Sequence, residues 1–156
     1  MNRCAIVLLM LLIGCGGPPP KVRELPKDTV RVKEGAIDPD APQEFTTTES
    51  GLKYRILRKS DGRKPTPTDK VRVHYRGRFN DENGKIFDSS YGSSGESANF
   101  SLGGVIKGWT EGLQLVGEGG MIELIIPPEL AYGDQGTPGM PPNSTLHFIV
   151  ELIEVK

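Results

Sequence analysis

Glycine and proline interrupt this chain so often that long helices are excluded from most of it. Twenty glycines and thirteen prolines occur among its 156 residues, and both residue types favour tight turns and weaken or break helices. Between them lie short runs in which apolar and polar residues alternate, as at residues 71–76. This alternation places one face of a strand in a core and the other in water. We therefore expect a β-rich fold rather than a helical bundle.

The size and charge of the chain indicate one ordinary soluble domain. Its 156 residues, 36% of them hydrophobic and 25% charged, suffice for a single packed core but leave little room for a second. The formal net charge of −1 comes from 19 basic and 20 acidic residues spread along the chain. A protein that binds nucleic acid usually carries a basic surface, so we expect no nucleic-acid partner.

The pattern of apolar residues predicts several short strands and one helix. Strand patterns occur at residues 52–59, 71–76, 86–87, 121–126 and 145–155. Residues 91–99 are polar and rich in glycine and serine, which predicts a loop. Residues 105–116 carry Trp109, Leu113 and Val116 at helical spacing. The sequence therefore predicts an α+β fold in which one helix packs against an antiparallel sheet.

The first residues have the composition of an export signal. Arg3 precedes an apolar run at residues 4–13, and small residues follow that run. A membrane-spanning helix needs about 20 apolar residues, so the run is too short to be one. Residues 12–15, Leu-Ile-Gly-Cys, resemble the lipobox of bacterial lipoproteins, which implies that residues 1–14 are removed and that Cys15 carries fatty acids. The alternative is an ordinary cleaved signal with an incidental cysteine.

Residues 15–44 have the composition of a flexible, lipid-anchored linker. They contain six prolines and interleaved charges of both signs, with few large apolar side chains. Residues 29–33 alternate polar residues with valine, which leaves a short edge strand as an alternative there. Cys4 would leave with the signal, so the mature chain would have no disulfide. The stability of the domain at residues 45–156 must then come from its packed core.

Five motifs follow one another along this domain. They are Val-His-Tyr-Arg-Gly at 73–77, Phe-Asp-Ser-Ser at 87–90, Val-Ile-Lys-Gly-Trp at 105–109, Ala-Tyr-Gly at 131–133 and Pro-Pro-Asn-Ser-Thr-Leu-His-Phe at 141–148. In this order and spacing they resemble an FKBP-type peptidyl-prolyl cis-trans isomerase, in the form that bacteria export as a lipoprotein. The resemblance implies a strongly curved antiparallel sheet wrapped around one short helix, with the active site between the two.

The resemblance also implies which residues form the site. The implied catalytic residues are Phe87, Asp88 and Tyr132. The implied substrate-binding residues are Tyr75, Val105, Ile106, Trp109, Met140 and Phe148, with Trp109 as the floor of a proline pocket. The backbone N–H of Ile106 and the hydroxyl of Tyr132 would donate hydrogen bonds to substrate carbonyls, while Asp88 would orient the reacting amide. Neither a cofactor nor a metal is implied.

The chain departs from the family pattern at the rim of that pocket. Ala98 stands where many members have a second aromatic side chain, and the stretch at residues 103–104 is shorter than in eukaryotic members. The loop after Asp88 lacks an arginine that often pairs with this aspartate. These differences bear on rim specificity and on the affinity for macrolide inhibitors more than on catalysis.

Rotation about an X–Pro bond breaks no bond, and an apolar pocket favours the twisted state in which amide resonance is lost. The sequence thus predicts an isomerase for proline-containing exported polypeptides, held to the cell envelope by its lipid, on the outer membrane if the cell has two. The alternatives are a chaperone-like module that binds proline segments with little turnover and a structural role in the envelope.

Related exported isomerases dimerise through a long helical region, for which residues 15–44 leave no room, so we expect a monomer.

Taken singly, the candidate residues have plainer interpretations. Each aromatic residue suits an ordinary core position, Asp88 suits a turn cap, and Tyr132 suits a buried tyrosine. His74 and His147 lie on predicted strands without neighbouring cysteine or histidine, so we interpret them as structural or solvent-facing rather than as metal ligands. The five motifs together favour the pocket.

Overall fold

The computed structural model describes residues 33–92 and 95–156. Within these ranges the chain forms one α-helix, α1 (Lys107–Leu113), and two short 3₁₀ turns, Leu102–Gly104 and Pro128–Leu130. The strands are β1 (Thr46–Thr47), β2 (Lys53–Arg58), β3 (Lys70–Phe79), β4 (Ile86–Ser89), β5 (Ala98–Ser101), β6 (Met121–Ile126) and β7 (Leu146–Val155).

The predicted features before Lys33 fall outside this structure. They are the signal at residues 1–14, the lipidated Cys15 and all but the last residue of the alternative strand at residues 29–33. In the ranges that are described, no helix is both long and apolar enough to cross a membrane.

The strands of the described residues form a single antiparallel sheet. Their order is β1-β2-β6-β7-β3-β4, and β5 pairs with the first part of β3. The two longest strands, β3 and β7, pair along almost their whole length, from Val71 with Val155 to Phe79 with Leu146. The prediction of an antiparallel sheet with one short helix is therefore confirmed.

The sheet has a core face and an outer face because side chains alternate along its strands. In β3 and β7, buried residues alternate with less buried ones over most of each strand. The core face bears Tyr75 and Phe148, together with most of the aliphatic core. The outer face, on the other side of the sheet, bears His74 and His147.

Two glycines bring α1 close to the core face of the sheet. Gly108 faces the side chain of Ile126, and a Cβ added at Gly112 would lie 2.7 Å from Leu124 Cδ2. Because these positions lack side chains, the helix can rest directly on β6. This close approach buries Trp109 beneath the sheet.

The structure differs from the sequence prediction between residues 91 and 106. Residues 98–99, expected at the end of a loop, begin β5, which pairs with β3. The helix expected at residues 105–116 spans only Lys107–Leu113, because Ile106 has the extended angles φ −58° and ψ 147° and Gln114 is the C-cap, which leaves Val116 outside the helix. The strand β5 depends on pairing with a distant part of the chain, which a local apolar pattern does not contain.

Residues 33–44, the last part of the predicted linker, lie across the outer face, and we call them the strap. The carboxylate of Glu34 pairs with the guanidinium of Arg76 in β3 at 2.9 Å. The N–H of Asp38 donates to the carbonyl oxygen of Leu57 in β2 at 2.8 Å. An ion pair and a backbone hydrogen bond hold the strap to the sheet. Because a polar composition is equally typical of a flexible linker, the sequence does not indicate these contacts.

A buried carboxylate and a buried histidine also lie on the outer face. His147 Nε2 donates to Glu123 Oε1 at 2.7 Å, and the Arg55 guanidinium donates to the other carboxylate oxygen. Arg55 also donates to the carbonyl oxygen of Gln43 in the strap at 2.8 Å. Burial alone would raise the pKa of Glu123, but the bonds from His147 and Arg55 hold it below its ordinary value. His147 is therefore a structural residue, one of its two expected interpretations.

Candidate active site

The core face of the sheet, helix α1 and the loops beside them form an open pocket of about 520 Å³. Most of its wall is aromatic or aliphatic, and polar groups are few. The residues that line it are Tyr75, Phe87, Asp88, Phe100, Gly104, Val105, Ile106, Trp109, Ala131, Tyr132, Met140 and Phe148. A pocket of this kind suits a small apolar group held beside a few fixed polar atoms.

Trp109 forms the base of the pocket, with three rings standing edge-on to its indole. The ring centroids of Tyr75, Phe100 and Phe148 lie 5.4, 5.2 and 5.3 Å from that of Trp109, at interplanar angles of 81–83°. Edge-to-face contact at this separation is favourable for aromatic pairs. The four rings therefore fix one another, and the wall is formed before any ligand arrives.

Gly77 provides the space for the rings of Phe87 and Phe148. The rings of Phe87 and Phe148 meet edge-to-face at 5.5 Å. A Cβ added at Gly77 would lie 2.6 Å from Phe87 Cζ and 2.7 Å from Phe148 Cε1, which is closer than non-bonded carbon atoms pack. The glycine of the Val-His-Tyr-Arg-Gly motif thus shapes the pocket from behind.

The carboxylate of Asp88 is fixed at the edge of this aromatic wall. Its Oδ2 accepts a hydrogen bond from the Tyr75 hydroxyl at 2.6 Å, and its Oδ1 accepts one from the N–H of Ser89 at 2.8 Å. Burial and the neighbouring Asp88 raise the pKa of Tyr75, so its phenol stays neutral and remains a donor. Asp88 therefore presents an oriented negative charge to the pocket.

Tyr132 and Met140 reach the pocket from the loop between β6 and β7. Thr137 and Met140 exchange two backbone hydrogen bonds of 3.0 and 2.8 Å around Pro138-Gly139. Gly139 has φ +88°, as the third residue of a type II turn requires. This turn holds Met140 at the rim, while Tyr132 is 39% exposed, so a bound ligand can reach its hydroxyl.

The structure brings together every residue that the sequence placed at the pocket. All nine line it: Phe87, Asp88, Tyr132, Tyr75, Val105, Ile106, Trp109, Met140 and Phe148. Their roles in catalysis remain predictions. Across residues 33–92 and 95–156, no group of three or more His, Cys, Asp or Glu side chains could hold a metal ion.

Sequence reasoning missed one aromatic residue of the pocket, Phe100. Ala98, which stands where many related proteins have a second aromatic, does not line the pocket. Phe100 lies two residues further along β5, hence on the same face of that strand. There its ring contacts both Tyr75 and Trp109. The two-residue period of a strand is the available signal, but Ala98 lies in the predicted loop at residues 91–99 and Phe100 directly follows that loop, outside every predicted strand.

Comparison with known proteins identifies curated relatives of this chain. The chain is 53% identical over 110 residues to the FKBP-type peptidyl-prolyl cis-trans isomerase FkpA of Escherichia coli (strain K12), which covers 70% of this chain and 40% of that protein. It is 48% identical over 111 residues to the peptidyl-prolyl cis-trans isomerase Mip of Coxiella burnetii, covering 70% of this chain and 47% of Mip. The chain thus spans less than half the length of these curated relatives.

Solved structures and a family profile agree with these relatives. The crystal structure of FkpA from Escherichia coli superposes with a TM-score of 0.69 at 50% identity, covering 74% of this chain and 53% of that one. The crystal structure of AtFKBP13 superposes with a TM-score of 0.64 at 37% identity, covering 72% of this chain and 99% of the other. The profile of the FKBP-type peptidyl-prolyl cis-trans isomerases matches residues 61–153. The protein whose pocket is built on Trp109 therefore belongs to the FKBP-type peptidyl-prolyl cis-trans isomerase family.

Proposed function

We propose that this chain is a peptidyl-prolyl cis-trans isomerase that binds the proline of a polypeptide over Trp109. The observation that carries the proposal is the pocket itself, in which three rings stand 5.2–5.4 Å from the indole beside the oriented carboxylate of Asp88. Proline has an apolar ring and no backbone N–H. An aromatic pocket with few polar groups suits an apolar ring of this size.

The reaction asks little of the protein beyond this environment. The barrier to rotation about a peptide bond is about 18–20 kcal/mol, and the exchange of an X–Pro bond without a catalyst takes tens to hundreds of seconds. At the twisted midpoint the carbonyl oxygen carries less negative charge than in the planar amide, so an apolar wall favours that state over the ground state. A difference of about 5 kcal/mol would accelerate rotation several thousandfold.

The polar groups of the pocket would hold the substrate chain while one side of the bond twists. We assign the N–H of Ile106 and the hydroxyl of Tyr132 to hydrogen bonds with substrate carbonyls. Asp88 would orient the amide through its charge, since no proton has to be transferred. Phe87 would close the wall against the proline ring. Because binding has already fixed the flanking chain, less conformational entropy is lost on reaching the transition state for rotation.

An isomerisation assay tests the proposal. The full chain, purified in detergent, is added to a proline-containing peptide, and the cis-to-trans rate is followed. We expect a large acceleration that Phe87→Ala removes and that Phe45→Ala, a change at an aromatic residue outside the pocket, leaves intact. Rates equal to those of the uncatalysed reaction would refute the proposal and leave a chaperone-like binding module, which suppression of aggregation by the inactive Phe87→Ala variant would reveal.

We also propose that the chain is a lipoprotein of the cell envelope. Its parts would be a signal at residues 1–14, a lipid-anchored linker at 15–44 and the isomerase domain at 45–156. The support is the short apolar run at residues 4–13, which is followed by Gly14 and then Cys15. Metabolic labelling with palmitate should mark the parent chain and not a Cys15→Ser variant. Gly16 after the cysteine favours the outer membrane if two are present, and fractionation tests that location.

The pocket and the linker also suggest which substrates and inhibitors the chain binds and whether it is a monomer. We expect exported polypeptides with exposed proline residues as substrates and macrolides as inhibitors that compete for the pocket. The six prolines of residues 15–44 disfavour a long dimerising helix, so we expect a monomer. Sedimentation of the purified chain tests this, and a concentration-independent dimer would refute it.

A further inference from the structure

The second serine after Asp88 is bonded to the same residue that holds this aspartate. The Oγ of Ser90 accepts a hydrogen bond from the N–H of Tyr75 at 2.8 Å. The N–H of Ser90 donates to the carbonyl oxygen of Tyr75 at 3.0 Å. The hydroxyl of Tyr75 in turn donates a hydrogen bond to Asp88 Oδ2 at 2.6 Å. Ser90 therefore holds the backbone of Tyr75 while the phenol of Tyr75 holds the carboxylate.

Ser90 takes the place of a missing strand residue. The pairing of β3 with β4 runs only as far as Arg76 with Ser89, so the next N–H of β3, that of Tyr75, has no strand partner on this side. The Ser90 hydroxyl satisfies it. Without this hydroxyl, the part-buried N–H would lose its hydrogen bond, and a buried donor without an acceptor is costly.

Two aromatic side chains keep Ser90 in place from the outer face. The Nδ1 of His74 lies 3.1 Å from the Ser90 Oγ, and the His74 ring stacks on Tyr91 with centroids 5.1 Å apart at 22°. Tyr91 is only 9% exposed, and its hydroxyl donates to Glu151 at 3.4 Å. Contacts with His74 and Glu151 on the outer face of the sheet thus hold the loop that follows Asp88.

We propose that Ser90 is a positioning residue for the isomerase site, which sets the Tyr75 phenol so that it holds the Asp88 carboxylate toward the reacting amide. The inference rests on the proposed isomerase activity. It assigns no contact between Ser90 and the substrate. Its effect passes through one hydrogen bond, from Tyr75 to Asp88, and this path makes it testable.

A double-mutant cycle on the full chain separates this role from simple stabilisation. Ser90→Ala should lower kcat/KM about fivefold, the effect of one hydrogen bond, mainly through kcat, and Ser90→Thr should restore most of the loss. In a Tyr75→Phe background, Ser90→Ala should cost nothing further, because the bond it supports is already gone. Ser101→Ala, a change at an exposed strand hydroxyl, should leave the rate unchanged.

A second measurement does not depend on activity. The Tyr75 hydroxyl proton, identified in NMR spectra by its loss in Tyr75→Phe, should exchange with water faster in Ser90→Ala than in the parent or in Ser101→Ala. Full activity of Ser90→Ala, multiplicative losses in the cycle, or unchanged exchange of the hydroxyl proton would each overturn the proposal. An inactive parent chain would refute the proposed function alone, and the exchange rates would then decide whether Ser90 positions the pair.

Discussion

Replacing Gly77 by alanine should disturb the pocket although no residue that lines it is replaced. The added Cβ would lie 2.6 Å from Phe87 Cζ, 2.7 Å from Phe148 Cε1 and 2.8 Å from Phe87 Cε2. Carbon atoms in contact prefer about 3.5–4.0 Å, so one or both rings must retreat by about 1 Å. The space open to them is the pocket, so the substitution should narrow the proline site.

The expected size of this effect follows from overpacking. Extra methyl groups forced into a packed core cost roughly 1–3 kcal/mol, whereas alanine in place of glycine in a strand interior would otherwise gain about 0.5–1 kcal/mol. At the middle of these two ranges the net loss is about 1.2 kcal/mol, which should lower Tm by about 4 °C. If the narrowed pocket raises the free energy of the bound transition state by about 1.4 kcal/mol relative to the free enzyme and substrate, kcat/KM falls tenfold.

Calorimetry and the isomerisation assay measure the two consequences separately. Gly103→Ala is the matched control, because its Cβ would meet Pro67 O at an ordinary 3.5 Å, and it should change neither quantity. A Gly77→Ala protein with unchanged Tm would show that the rings are not held where the contact distances place them. A lowered Tm with unchanged kcat/KM would show that they move away from the pocket rather than into it.

Three further substitutions test other parts of the molecule. Glu123→Gln replaces the charged acceptor of two hydrogen bonds by a neutral amide and should lower the free energy of unfolding in urea by roughly 1.5–3 kcal/mol at pH 7. Because the folded pKa of Glu123 is lowered, the advantage of the parent is complete above its unfolded pKa of about 4.3 and is lost as the pH falls through the folded pKa; a difference independent of pH would contradict this. Tyr75→Phe should lower kcat/KM about fivefold, and full activity would argue against an orienting role for Asp88. Asp40→Asn removes an exposed ion pair of 2.7 Å with Lys59 and should leave Tm unchanged; a clear fall in calorimetry would show that the pair matters.

Most of the pocket could be predicted because its residues lie in short motifs whose order is fixed along the chain. Trp109 and Phe148 belong to such motifs, and each also fits the local pattern of its helix or strand. Phe100 lies outside them, on a strand that forms only because the first part of β3 is present to pair with it. Its position depended on a long-range pairing that no local pattern contains.

The outer face was the least predictable part of the structure. The alternation in β7 places His147 opposite Phe148, and an outer face is ordinarily wet. In the structure His147 is 2% exposed. Its partner Glu123 lies in β6, a strand of otherwise apolar residues, and nothing in that segment indicates a charge held by a distant arginine. Such burial depends on complementary polar groups from three strands and the strap, which become neighbours only in the fold.

The strap has a consequence for where an anchored enzyme could work. If Cys15 carries the lipid, the part of the linker that separates the domain from the membrane does not extend to residue 44. It ends near Glu34, where the chain begins to contact the sheet. Only residues 16–32 lie between the anchor and the first described residue, and at most about 3.5 Å per residue they span no more than about 60 Å. This span limits how far the domain can move from the membrane, so a substrate must come within that distance of the membrane surface to be isomerised.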